Sequence, residues 1–213
     1  MSTPSVLPLL ASSLYRRDEQ PNLDLAQRIV EENNTGAVAE LMENLHNRSK
    51  DIRYNCIKTL YEIGALEPGL IAEYVEQFLE LLNHKDNRLQ WGGMTALSAI
   101  AKEKPTELFE SLGKILDIAD KGTVVTRDNA MKIMAQLAQV EVYNEDVVPL
   151  MIEQVLASPV NQLPMYAEFT APVIRAEHLE EFITVLQTRL ADLDLEPKRK
   201  RLEKVLRSLT TKK

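Results

Sequence analysis

The sequence predicts an all-α solenoid of paired helices, and three observations lead there. Glycine is scarce at 7 residues, aromatics make up only 5% of the chain, and the alternating runs of half-buried strands are nearly absent. Small and aliphatic residues recur in register at a fixed step of 37 residues, as from Cys56 to Gly93. Short polar stretches fall between the apolar ones at about the same step, as turns between helices do.

From Cys56, steps of 37 lead to Gly93, Ala130 and Ala167, all small. Four positions on stand Leu60, Leu97, Met134 and Ala171, and three beyond those Ile63, Ile100, Leu137 and Ile174. This spacing is one face of a helix, with the small residue where a neighbouring helix must come closest. Upstream, Leu41, Phe78, Ile115 and Ile152 form one column, and Leu45, Leu82, Ala119 and Leu156 another. Each unit is therefore a helix A, a turn and a helix B. The turns read as 47–50, 83–86 and 120–123, while Pro68-Gly69, Lys104-Pro105 and the polar Tyr143-Asn144 punctuate the links between units. A fifth unit follows at a shorter step, with helix A over about 177–191 and helix B over about 197–209. Ahead of the first full unit, residues 23–30 form a short amphipathic helix and 5–15 another. The expectation is one domain, 1–213: an irregular N-terminal cap over 1–35, four regular units over 36–175, and a C-terminal unit over 176–213 with a basic final helix. End units of a solenoid are irregular because one face meets water instead of a neighbour.

The opening of helix B carries a more specific signal. Asp51-Ile52-Arg53-Tyr54-Asn55-Cys56 sets an aspartate in the turn, then an aliphatic residue, an arginine, two variable positions and a small residue. This pattern resembles the HEAT repeat. Leu89-Gln90-Trp91-Gly92-Gly93 and Thr126-Arg127-Asp128-Asn129-Ala130 follow it in part, and Leu163-Pro164-Met165-Tyr166-Ala167 keeps only its ends. The resemblance covers roughly 36–175 and departs where Gln90 and Pro164 replace the arginine. It implies a HEAT-like or armadillo-type fold: a right-handed α-α superhelix of about five HEAT-like helix pairs with irregular end caps. It also implies a binding scaffold, with B helices lining the concave side, and names no partner.

Nothing in the sequence assembles catalytic chemistry. His46, His84 and His178 lie in or beside turns of separate units, and no His-Glu-x-x-His pair exists. The single cysteine, Cys56, excludes an intramolecular disulfide and sits in the small-residue packing column, the place of a structural thiol. Glu31-Glu32 and Glu180-Glu181 read as solvated helix faces, and Gly92-Gly93 lies inside a helix pattern rather than in a phosphate-cradling loop. No catalytic residue, cofactor or metal ligand is expected. The apolar patch over 6–10 lacks a basic segment ahead of it and is interrupted by Pro8, which argues against a signal peptide. No apolar run approaches the ~18 residues of a membrane span. A cytoplasmic, non-membrane protein is expected.

The wheel fixed by Cys56, Leu60 and Ile63 gives the outward residues of the B helices. They form two columns, Tyr54, Trp91, Asp128, Met165 and Lys58, Thr95, Lys132, Phe169, with Tyr61 extending the first. The expected partner-binding surface is Tyr54, Lys58, Tyr61, Trp91, Asp128, Lys132, Met165 and Phe169 on the concave face, since aromatics beside cations make interface hot spots. The alternative for Trp91 is sideways packing on the adjacent B helix. Arg53 and Arg127 turn toward the loop inside their units and read as structural.

Charge is uneven. Residues 196–213 hold eight basic residues against two acidic ones, a net of +6, so the remaining residues carry −13 of a total of −7. Lys198, Arg199, Lys200 and Arg201 stand in the first turn of their helix, where the dipole disfavours cations. Either Glu177, Glu180, Glu181, Asp192 and Asp194 compensate, or these four form a site for an acidic partner. The acidic body repels phosphate backbones, so nucleic acid is not the expected ligand. The leading reading is a non-enzymatic scaffold presenting its concave face to a protein or peptide. The alternatives are a HEAT-like nucleic-acid binder or alkylpurine DNA glycosylase-like enzyme, with Trp91 and Asp128 in one column, and a structural subunit of a homo-oligomer.

Overall fold

A computed structural model describes residues 4–211. They contain α-helices, short 3-10 turns and no strand. The helices are α1 (Gln20–Glu31), α2 (Thr35–Glu43), α3 (Lys50–Leu66), α4 (Val75–Leu81), α5 (Asn87–Ala99), α6 (Pro105–Glu110), α7 (Leu112–Lys121), α8 (Val124–Leu137), α9 (Glu141–Ala157), α10 (Leu163–Thr170), α11 (Ala176–Leu190) and α12 (Glu196–Thr210). Contacts gather them into two compact units, Met1–Arg127 and Asp128–Lys213, with the boundary inside α8. Among the described residues no helix is long and apolar enough to cross a membrane.

In the first unit, α1, α3 and α5 lie side by side, and α2 and α4 back α3 and α5 respectively. The columns read from the sequence are its core: Leu41, Phe78, Leu45, Leu82, Cys56, Leu60, Leu97, Ile63 and Ile100 are all buried. The two adjacent glycines of α5 each admit a different neighbour. A Cβ on Gly93 would stand 2.9 Å from Leu81 Cβ of α4, and one on Gly92 would stand 2.5 Å from Ile57 Cγ1 of α3. Glycine is needed at both because two helices approach α5 at once.

Helix starts obey the same step. Ser49 Oγ accepts from Ile52 N–H at 3.4 Å, an Asp86 carboxylate oxygen from Arg88 N–H at 3.0 Å, and Thr123 Oγ1 from Thr126 N–H at 3.4 Å. These residues supply acceptors to the orphan N–H groups that open α3, α5 and α8. The carbonyls that close each helix A are met by the residue at the HEAT arginine position. Arg53 donates to Asn47 O at 2.7 Å, Gln90 to Leu82 O at 2.8 Å, and Arg127 to Ala119 O and Asp120 O at 3.2 and 2.9 Å. Gln90 therefore does the arginine's work with one bond.

The N-terminal segment differs from the helix expected over 5–15. It makes one 3-10 turn, Leu7–Leu9, and ends at Tyr15, whose φ of 56° is left-handed and stops helical continuation. Side chains of three helices hold the segment instead. Glu40 accepts from Val6 N–H at 2.8 Å, Asn22 from Ala11 N–H at 3.0 Å and Asn55 from Ser12 N–H at 2.8 Å, while Val6, Leu10 and Ala11 cover the apolar end of the stack.

In the second unit α9 packs on α10 and α11, and α12 on α10 and α11. Helices α11 and α12 fall within a residue of the expected 177–191 and 197–209. The expected link at Tyr143-Asn144 lies inside α9 instead. Asn144 is polar but buried, donating to Ala138 O at 2.6 Å and Val173 O at 3.0 Å, so its amide ties segments together rather than breaking a helix. The repeat also fails at one other point. Val160 and Pro164 occupy the cap and arginine positions, and neither side chain can supply the bonds made in the earlier units. Pro164 lies in the first turn of α10, where its fixed φ suits helix initiation. Arg189 of α11 takes over the carbonyls, donating to Val155 O at 3.0 Å, Ser158 O at 2.8 Å and also Leu156 O. Leu156 itself, expected in a core column, is half exposed.

Candidate functional site

The first unit brings Tyr54, Lys58 and Tyr61 of α3 together with Trp91 of α5 on one surface. All four are half-buried, so Trp91 is neither core nor free. Trp91 and Tyr61 rings meet at 5.9 Å between centroids and 49° between planes, a tilted aromatic pair. The sideways packing considered for Trp91 is thus realised against the neighbouring B helix, and the pair still reaches solvent.

The cations beside these rings are already matched. Lys58 Nζ stands 2.6 Å from Glu62, 3.3 Å from Glu19 and 5.0 Å from the Tyr61 ring centre. Burial works against the Lys58 charge, but Glu62 and Tyr61 outweigh it and raise its pKa above the ordinary lysine value. Burial also pushes the Tyr61 phenol up. Arg88 lies 4.8 Å from the Tyr54 ring centre, Lys50 lies 5.1 Å from it, and Arg88 pairs with Glu19 at 2.6 Å. The Tyr54 hydroxyl donates to Asp86 at 2.8 Å. Burial opposes the Asp86 charge, yet the Tyr54 hydroxyl, the Arg88 N–H and Lys50 prevail and hold its carboxyl below the usual range. The surface is therefore aromatic, charge-balanced and braced across α3 and α5, which Glu19, the residue before α1, bridges.

Sequence reasoning missed Glu19, Glu62, Asp86 and Arg88. Asp86 lies one 37-residue step from Ser49, so its capping role was readable. Glu19 is 69 residues from Arg88, and no local pattern announces such a pair.

In the second unit the remaining expected residues are placed differently. Asp128 is half-buried and accepts from the buried Tyr166 hydroxyl at 2.9 Å, which gives its carboxylate a structural task. Lys132 is exposed, and Met165 and Phe169 are half-buried. The basic quartet is engaged: Lys198 bonds Asn161, Arg199 pairs with Glu203 at 3.5 Å, Lys200 with Glu196 at 3.2 Å, and Arg201 with Glu168 at 2.6 Å. These partners come from α10, the loop before it and α12 itself. Of the acids expected to compensate, Asp192 pairs with Arg189 at 2.5 Å and Glu181 faces His178 at 3.8 Å. The helix thus draws neutralising charge from its own i,i+4 positions.

The single cysteine lies in the core, away from this surface. Burial, with a smaller contribution from Glu40, pushes the Cys56 thiol up to about 12, which makes it inert as a nucleophile at neutral pH. Among the described residues no group of three or more His, Cys, Asp or Glu is placed to hold a metal ion.

No family model and no curated protein matches the chain by sequence. Solved structures do match it by shape. A designed armadillo repeat protein is similar over 95% of this chain and 99% of its own, with 16% identity and a TM-score of 0.65. A second, described in complex with the peptide (KR)4, is similar over 96% of this chain and 100% of its own, with 15% identity and a TM-score of 0.67. Computationally designed armadillo repeat proteins for modular peptide recognition match over 94% of this chain and 98% of theirs, with 16% identity and a TM-score of 0.68. At such identities the likeness establishes the fold, an all-α armadillo-type helical repeat.

Proposed function

We propose that this chain is a non-enzymatic scaffold that binds a protein or peptide segment on the surface of its B helices. The carrying observation is the half-buried pair of Trp91 and Tyr61, held in fixed geometry by the Glu62–Lys58–Glu19–Arg88 network. Rigid aromatic groups that keep part of their area in water are what interface hot spots are built from, because little conformational entropy remains to be lost on binding. Two of the similar designed proteins are described as a peptide complex and as made for peptide recognition, which supports a peptide-like ligand here. Since the cations of this surface are internally matched, its aromatic area rather than its charge supplies the affinity.

Affinity capture on the immobilised chain, read by mass spectrometry, tests this directly. Proteins enriched on the native chain should be lost on the Trp91→Ala variant and weakened on Tyr61→Ala, which removes the other ring of the pair. An unchanged set on both folded variants would exclude this surface. Sedimentation at rising concentration checks the homo-oligomer reading in the same preparations.

A further inference from the structure

On each of three B helices one repeat position carries a buried apolar side chain. Ile57, Met94 and Met131, spaced by 37, are each buried to within 1%. The next position is Glu168, which is exposed and forks with Arg201 of α12 at 2.8 and 2.6 Å. With no aliphatic knob there, a groove of about 440 Å³ stays open between α10 and α12, lined by Ala171, Pro172, Val205, Lys204 and the Glu168–Arg201 pair. Its exposed area is mainly apolar, and it has room for one or two side chains.

The charge around the groove is unbalanced. Of six cations on α12, four bond Asn161, Glu203, Glu196 and Glu168. Lys204, which lines the groove, and Arg207 one turn on have no ion pair among the described residues. Glu168 is forked by Arg201, which with a smaller contribution from Lys204 holds its carboxyl below the usual range, so one carboxylate faces two cations.

We propose that this groove docks an acidic peptide segment with an apolar anchor residue. The anchor stands in for the buried apolar side chain that Ile57, Met94 and Met131 supply at this repeat position, and its flanking carboxylates meet Lys204 and Arg207. Two cations outside any ion pair are too few to hold a polyphosphate backbone or a lipid surface, which need larger basic clusters. An apolar floor beside them suits a peptide side chain instead. The site shares no residue with the aromatic surface and does not depend on it.

Fluorescence anisotropy with a short fluorescein-labelled peptide, one Phe flanked by Asp and Glu, reads this binding on the full chain. Saturable binding is expected, weakened about tenfold or more by Lys204→Glu with Arg207→Glu, through loss of charge-assisted bonds. Glu168→Met separates a groove from diffuse attraction. It removes a negative charge, so electrostatics alone predicts tighter binding, whereas a sealed groove predicts loss. Ala171→Leu narrows the groove without touching any charge and should also weaken binding. The proposal is overturned if Glu168→Met and Ala171→Leu bind as well as the native chain, or if the peptide with Ser in place of Phe binds equally. Preferential binding of a single-stranded oligonucleotide or of phosphatidylserine vesicles would overturn it too.

Discussion

Replacing Arg189 with methionine keeps the aliphatic stem and removes a guanidinium that holds the end of α9. The native group donates to three carbonyls, Val155, Leu156 and Ser158, and pairs with Asp192. A hydrogen bond from a charged donor contributes about 1.5–3 kcal/mol, but bonds made by one group are not additive. The Leu156 carbonyl lies at an exposed position where water can replace the donor, and the Asp192 pair is surface-screened. A net cost of about 2–3 kcal/mol follows, equivalent to a fall of roughly 5–10 °C in melting temperature for a chain of this size. Circular dichroism melts and urea titrations of the full chain measure both. By the same reasoning Gln90→Ala, which loses a single neutral bond to Leu82 O, should cost only about 1 kcal/mol. In the Arg189→Met background, Pro164→Arg restores an arginine at the repeat position and should recover part of the loss. A change within about 0.5 kcal/mol for Arg189→Met, the range of an ordinary surface substitution, would refute the idea that each helix A needs its carbonyls met from the side.

Gly92→Ala should destabilise by about 1–3 kcal/mol, because its Cβ would overlap the stiff Ile57 side chain at 2.5 Å. Gly113→Ala in α7, where nothing lies within 4 Å, should instead stabilise by about 0.5–1 kcal/mol in the same denaturation assay. Cys56 should resist thiol reagents in the native chain at pH 8 and react at once in urea, since its thiol is pushed up to about 12; rapid labelling of folded chain would contradict its burial. Asp86 and Glu168 both titrate below their ordinary values of 3.8 and 4.5, so their contribution is complete above the higher value and erodes as pH falls through the lowered ones. The urea midpoint should therefore drop below pH 4.5, and Glu168→Gln should make that acid limb shallower.

The architecture was legible because the step of 37 acts on several kinds of residue at once. Core columns, small packing positions and helix caps all follow it, and each is a local requirement that a sequence can state. Ser49, Asp86 and Thr123 are a case in point: three chemically different residues, one spacing and one task. What escaped was whatever depends on residues far apart or on substitution of one solution by another. Arg189 does work that Pro164 cannot, from a helix not expected to reach that turn. Asn144, polar and apparently a breaker, proved to be a buried clamp. Tyr54, Tyr61 and Trp91 were legible as outward residues of their helices, but the acids Glu19 and Glu62 were not, and so Lys58 looked freer than it is. For the basic quartet, the counter-charge comes from helical i,i+4 pairs within α12 and from Glu168 on α10 rather than from the acids of the preceding helix and loop.

Trp91 is the sole tryptophan of the chain, so its fluorescence reports on one place. Once a partner has been captured, titrating it while following tryptophan emission and acrylamide quenching measures whether the aromatic surface is the binding site. A tryptophan-free peptide from that partner keeps the signal unambiguous. The expected result is a shift of emission to shorter wavelength and a clear fall in quenching, saturating with binding. Saturated binding with emission and quenching unchanged would contradict the account.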